Sequence, residues 1–332
     1  MNKKIIFSIL HKIGTTKILR TLKSAELTIL SLHRISPERD FFFNPITPFH
    51  FESLLRYVSK YYCVISFNEL DNILQEKKTS KKPLLILSFD DGYYDFIEFA
   101  LPLLKKYQLP SNHNIVNSCA SENKTIWTQR LNHIFNFAKE NKIDFEFTFH
   151  DKTFALNNFE NNWLSFYIST FKKMLELQMD ERIFMIKKQE ETLNIQAEYR
   201  MMNWEEIIEC SQNNVEIGCH TFNHDVLSSI TNLSILSKEI VDSKIEIEKK
   251  IEKKISILAL PNGQTNENIE RICNKVGIDK ILFVDDKLNS IKSMNTNKIK
   301  SFHRISMVDE SDWEMELRTE MLHSKLRNYV GV

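Results

Sequence analysis

Four side chains have the types and spacing to do chemistry together. Asp90 and Asp91 are adjacent carboxylates that follow the run Pro83–Phe89, and Gly92 comes next. His220 and His224 are imidazoles four residues apart, directly after Val215–Gly218 and Cys219. Two imidazoles and one carboxylate form a ligand set for one divalent cation, and leave at least one position open, as a hydrolytic metal needs. Borderline nitrogen with hard oxygen suits zinc, with cobalt, manganese or iron as alternatives. Asp-Gly is also an ordinary turn pair, and two histidines alone are a moderate signal. The elements that carry these residues therefore decide.

Leu84–Leu87 is apolar throughout and of strand length, which fits a strand buried on both faces. Folds of alternating strands and helices place their chemistry at the carboxyl ends of such strands. Val215–Gly218 reads as a second strand, so the two histidines lie on the loop leaving it. Further strands are expected at Glu26–Leu32, Tyr62–Ser66, Asn114–Asn117, Ile255–Leu260, Lys280–Val284 and Lys300–Met307. Helices are expected between them, at Leu101–Tyr107 and at Asn203–Gln212 behind a capping box, Asn203 with Glu206. Ser234–Lys253, Glu267–Val276 and Trp313–Tyr329 complete the helical set. Strands alternating with helices imply a mainly parallel sheet. Between about residues 120 and 200 the texture changes: glycine is absent, and aromatics and lysines are dense. A hairpin around His150–Lys152 and one or two helices over Asn161–Asn194 make this block an insertion.

The motifs Ser88-Phe-Asp-Asp-Gly92, Glu216-Ile-Gly-Cys-His-Thr-Phe-Asn-His224 and Ala259-Leu-Pro-Asn-Gly263 resemble, in order, three motifs of the polysaccharide deacetylase family. Ile29–Ile35 and Met202–Glu206 are also similar to that family, so the resemblance spans about residues 27–118 and 200–308. It implies an α/β fold, a distorted (β/α) barrel of about seven mainly parallel strands, with one divalent metal. It implies Asp91, His220 and His224 as ligands, Asp90 as general base, and the backbone N–H of Asn262 as oxyanion donor. His33, Tyr93, Thr221, Pro261 and Arg304 are expected around the substrate, with Thr221 supporting its loop rather than reacting.

Two departures from the family pattern stand out. Many members hold the catalytic Asp with an arginine two residues before the motif proline, where Ala259 stands here; Arg304, Arg34 or Arg130 could substitute. Many also carry a late histidine that protonates the leaving amine, and no clear copy is present. His303 is the first choice and His323 the second. Trp127 and Trp163 could offer sugar-stacking faces, although a core position suits each as well.

Lysine plus arginine and aspartate plus glutamate are both 44, so no net field recruits nucleic acid. Five scattered cysteines without Cys-x-x-Cys spacing fit free thiols in a reducing compartment. Residues 1–25 are expected to form a basic, amphipathic helical segment, and residues 26–332 the catalytic domain. The segment either packs on the domain or rests on an anionic membrane surface. Without a clear cleavage site, the expectation is a cytoplasmic enzyme, with the membrane surface as the alternative place if the segment rests there. Its partner would be an N-acetylated saccharide. The rival expectations are cleavage of an O-acyl ester or non-sugar amide, and a catalytically silent saccharide-binding relative.

Overall fold

Strand β1 (Glu26–Leu32) pairs in parallel with β2 (Leu84–Phe89), and pairing continues in parallel through β3 (Ser111–Ile115), β4 (Val215–Cys219), β5 (Ile257–Ala259), β6 (Lys280–Val284) and β7 (Lys300–Ser306). β7 then pairs with β1, at Ile305 and Leu30, and closes a seven-stranded parallel barrel. The barrel is uneven: β1 and β2 share six paired positions, whereas β4 and β5 meet only at Cys219 and Leu258. Cys63–Val64 adds a short parallel strand to β2, and Asn289–Ser290 an antiparallel one to β1. The computed structural model describes residues 3–23, 25–78, 80–150, 152–196, 199–294 and 300–322.

Alternation along each strand sorts the side chains between two apolar layers. Leu27, Ile29, Leu84, Ile86, Ile257, Leu282 and Phe302 fill the barrel, with Phe67 and Leu70 packed against them. Leu30, Leu32, Leu85, Leu87, Ile217, Leu258 and Ile305 face the surrounding helices. Toward the carboxyl ends the interior turns polar, with Ser88, Asp90, Asn112, Asn114 and Arg304 all buried. The strand expected at Asn114–Asn117 begins earlier, at Ser111, because its polar residues line this interior. Asn117 already starts a short helix.

The insertion consists of α1 (Trp127–Glu140), a hairpin of Glu146–Thr148 and Thr153–Ala155, α2 (Trp163–Glu176) and α3 (Met179–Leu193). Its residues build a separate apolar cluster centred on Phe135, Phe145, Phe147 and Phe166, which bury one another's rings. Trp163 packs beside Phe145 in this cluster.

The N-terminal segment forms two helices, Lys3–Lys12 and Thr15–Thr21, broken where Gly14 takes a φ of 80°. Phe7, Leu10 and Leu19 pack with Trp313, Leu317 and Leu322 near the helix Asp312–Thr319. The rest of the expected Trp313–Tyr329 helix, from His323 onward, lies outside the described residues. Among the described residues no helix is long and apolar enough to cross a membrane.

Candidate metal centre and cleft

Asp91 follows the carboxyl end of β2, and His220 and His224 follow β4. The fold brings all three together: both Nε2 atoms lie near Asp91 Oδ1, at 3.3 Å for His220 and 3.4 Å for His224. Ligand bonds of about 2.0–2.2 Å in a tetrahedron put donor atoms about 3.3–3.6 Å apart, so this spacing fits one small divalent cation. Asp91 Oδ1 is buried and accepts no hydrogen bond. Among the described residues this is the only cluster of three such groups able to hold a metal. His220 Nδ1 donates to the Ala259 carbonyl at 2.9 Å, which leaves a lone pair on Nε2. Burial pushes the His224 pKa down to about 3, so that ring is neutral and ready to coordinate. Burial also opposes charge on His220, but Asp90 and Asp91 outweigh it and hold its pKa above the ordinary imidazole value.

Asp90 is held apart from this cluster. Arg304, on β7, donates Nη1 to Oδ1 and Nη2 to Oδ2, both at 2.8 Å. Asn114 Nδ2 adds a bond to Oδ1 at 2.7 Å. Burial would raise the Asp90 pKa, but the Arg304 charge, with His220 next, overrides it and holds the carboxyl well below the usual range. Asn114, Asn112 and Ser88 form a hydrogen-bonded chain within the barrel. Gly218 makes room for it, since a β-carbon there would sit 2.2 Å from Asn114 Oδ1.

A cavity of about 370 Å³ opens over the two carboxylates and is lined by His33, Asn262, Leu260 and Val284 from the barrel loops. Phe43, Thr128, Asn132, Tyr167 and Phe171 form the other side, four of them from the insertion. His33 Nε2 lies 4.0 Å from Asp90 Oδ2, and its ring meets the Phe43 ring edge-on at 5.6 Å. A larger depression of about 1020 Å³, lined by Arg130, Glu190 and Tyr199 among others, lies away from these groups. Asp91, Thr221, His224 and Asn262 all have positive φ, at 77°, 67°, 60° and 59°. Such backbone costs about 1–3 kcal/mol at a non-glycine residue and persists where surrounding structure imposes it, often at functional sites.

Several expected residues sit elsewhere. Phe302 and Arg304 point into the barrel, so His303 between them must point outward. His303 Nδ1 is 2.8 Å from Asp285 Oδ2 and the ring packs near Phe283; it is not an acid for this cleft. Arg304 is fully buried and engaged with Asp90 rather than facing a substrate. Of the other two arginines, Arg34 pairs with Asp95 and Arg130 with Glu190. Tyr93 is buried among Val116, Cys119, Ile126 and Met201, not in the cleft wall. Thr221 is buried on its loop, with its carbonyl accepting from the Asn117 N–H at 3.4 Å. Pro261 is buried too and starts the turn that presents Asn262. His323 lies outside the described residues. Asn112 and Asn114 went unread, although polar residues two apart in an otherwise buried strand are the period-two sign of a lined interior.

The family model for polysaccharide deacetylase matches residues 148–281, which include His220, His224 and Asn262 but not Asp90 or Asp91. No curated protein matches the sequence. Among solved structures, the deacetylase PplD of Streptococcus pyogenes, in complex with acetate, aligns over 89% of this chain and 98% of its own, at 18% identity and a TM-score of 0.60. IcaB from Ammonifex degensii aligns over 90% and 98%, at 14% identity and 0.56. A de-N-acetylase from Aggregatibacter actinomycetemcomitans aligns over 92% and 100%, at 18% identity and 0.53. At such identities the likeness to these three is one of fold.

Proposed function

We propose, for a chain whose sequence match and barrel both carry the polysaccharide deacetylase pattern, a metal-dependent hydrolase that removes the acetyl group from an N-acetylated sugar. The carbon–nitrogen hydrolase class follows from the family match. The observation that carries the finer reading is the convergence of Asp91, His220 and His224, with Asp90 beside them and bound to none of them.

A divalent metal on those three residues would act as a Lewis acid and lower the pKa of bound water from about 16 toward 7. Asp90 takes the proton as water adds to the acetamide carbonyl, help worth about 10²–10⁴ in rate. Arg304 and Asn114 fix the direction of its lone pairs. The Asn262 N–H, on a turn at the cleft, is assigned to the developing oxyanion, worth roughly 10²–10³. His33 is the imidazole that lines the cleft besides the two ligands. We assign it to protonate the leaving nitrogen as the carbon–nitrogen bond breaks, giving acetate and a free amine. Phe43, Tyr167 and Phe171 offer apolar ring surface to a sugar, with Asn132 and Thr128 as hydrogen-bonding groups between them.

The silent-relative alternative rested on the missing arginine and on the lack of a clear acid; Arg304 holds Asp90 from another strand, and His33 is the acid assigned here. Acetate release measured on N-acetylglucosamine oligomers, acetylated xylan and small amides separates sugar amide from ester and from non-sugar amide. Asp90→Asn should abolish turnover, by at least about 10²-fold, while bound metal stays stoichiometric. Equal turnover by Asp90→Asn would remove the base assignment.

A cytoplasmic site at the membrane face, in assembly of surface glycan, is part of the proposal. The exposed pairs Ile9 with Ile13 and Ile18 with Leu22, beside exposed Lys12 and Lys17, support the membrane contact. Failure of the chain to co-sediment with vesicles rich in anionic lipid would count against membrane contact.

A further inference from the structure

We propose that the insertion positions the imidazole of His224 through two buried contacts, Arg182 with Asp225 and Trp127 with the His224 carbonyl, so that metal affinity depends on a segment outside the barrel. The inference rests on the reading of Asp91, His220 and His224 as metal ligands.

The two imidazoles are held differently. His220 is fixed through its own Nδ1, which donates to the Ala259 carbonyl. His224 Nδ1 is buried and makes no hydrogen bond. Metal-binding histidines usually have the second nitrogen engaged, because that bond sets the ring's direction. The direction of His224 therefore comes from its backbone, which has a φ of 60°, and from the rings beside it, His220 edge-on at 4.8 Å and Trp127 at 6.2 Å. That backbone is gripped from the insertion. Trp127 Nε1, at the start of α1, donates to the His224 carbonyl at 3.1 Å. Arg182, on α3 and fully buried, donates Nη1 to Oδ1 of Asp225, the next residue, at 3.1 Å. The same guanidinium donates Nε to the Met174 carbonyl and Nη2 to the Leu177 carbonyl, both at 2.9 Å. Its centre lies 4.6 Å from the Trp127 ring, so the two braces touch. A buried ion pair is often replaceable by apolar side chains without loss of stability. Stability alone is thus a weak reason for an arginine here, whereas a fixed geometry needs its forked donors.

The test compares Arg182→Met, Arg182→Lys and Trp127→Phe with wild type, and with Ile186→Val, a buried change on α3 away from the site. Zinc affinity is measured by chelator competition on the metal-free full chain, and geometry by the visible spectrum of the cobalt form. Arg182→Met and Trp127→Phe should each weaken zinc binding about 10–100-fold and alter the cobalt bands. Arg182→Lys should recover part of the affinity, and Ile186→Val should stay within about twofold of wild type. Folded Arg182→Met and Trp127→Phe proteins with wild-type affinity and spectrum overturn the inference. So does Ile186→Val weakening binding equally. If Arg182→Met does not fold, Trp127→Phe decides by the same two readouts. A wild-type chain that takes up no zinc or cobalt overturns the metal-site reading itself, and this inference with it.

Discussion

In the barrel, the strands other than β3 and β4 send alternate side chains to two different apolar layers, and the inner one turns polar at the mouth. In the insertion, aromatic rings from two helices and a hairpin collapse on one another around Phe135 and Phe147, with aliphatic side chains of α3 against them. The first arrangement fixes the direction of every side chain at a strand end. The second fixes a surface, and lays Tyr167 and Phe171 against a cleft whose acids it does not carry. The groups proposed to react thus come from the region with strict alternation, and one side of the cleft from the region packed by volume. The contrast predicts that substitutions at the barrel's strand ends act on turnover, and substitutions of the insertion's cleft rings on substrate binding.

The largest expected effect is at Arg304. Arg304→Met leaves a buried carboxylate without its counter-charge, a loss of about 3–5 kcal/mol in stability for a broken buried pair. The Asp90 pKa, held low by that charge, should rise. Because the base acts when ionised, the acidic limb of the rate profile should move to higher pH, with kcat lower by roughly 10²-fold. An acidic limb that stays in place would break the assignment of Asp90 and the comparison with it.

Phe171→Leu should act on the other side. It keeps apolar volume against Trp127 but removes the ring face, so KM should rise about tenfold with kcat nearly unchanged. A fall in kcat with KM unchanged would mean that Phe171 acts through Trp127, on which it stacks, and the metal centre rather than on the sugar.

The smallest effect is expected at Glu216, on the barrel strand β4 but outside the cleft. Its carboxylate accepts from the Phe67 N–H at 2.8 Å, and burial pushes its pKa up to about 7. Between about pH 4.5 and 7 the folded chain keeps a proton that the unfolded chain has released, so stability falls as pH rises through that window. Glu216→Gln should flatten that fall by about 1–2 kcal/mol, read from denaturant midpoints, with activity unchanged. An unaltered slope would show that other groups set it.

The barrel and its strand ends were legible because strands buried on both faces are written as unbroken apolar runs, and the motif residues stand directly after them. His303 was misread although the information was present. Adjacent residues on one strand cannot both enter a barrel, and Arg304 is the one that does. Arg304 was one of three arginines able to hold Asp90, and the choice among them was not legible, since β7 and β2 are joined only by closure of the sheet. Tyr167 and Phe171 were not legible either. An amphipathic helix declares which of its faces is apolar, but not what that face will meet. The Arg182–Asp225 pair spans 43 positions and leaves no periodic trace.

Gly218 matters for the side chain it lacks. Added carbon at that position would press on Asn114, whose amide reaches Asp90, and on Ile257 at 3.1 Å. The aim of Asp90, the proposed proton acceptor, is therefore governed partly by a vacant spot on a different strand, one that takes no part in any bond. Catalogues of contacts would overlook it. A methyl group installed there would act as a wedge, turning the acid without touching it.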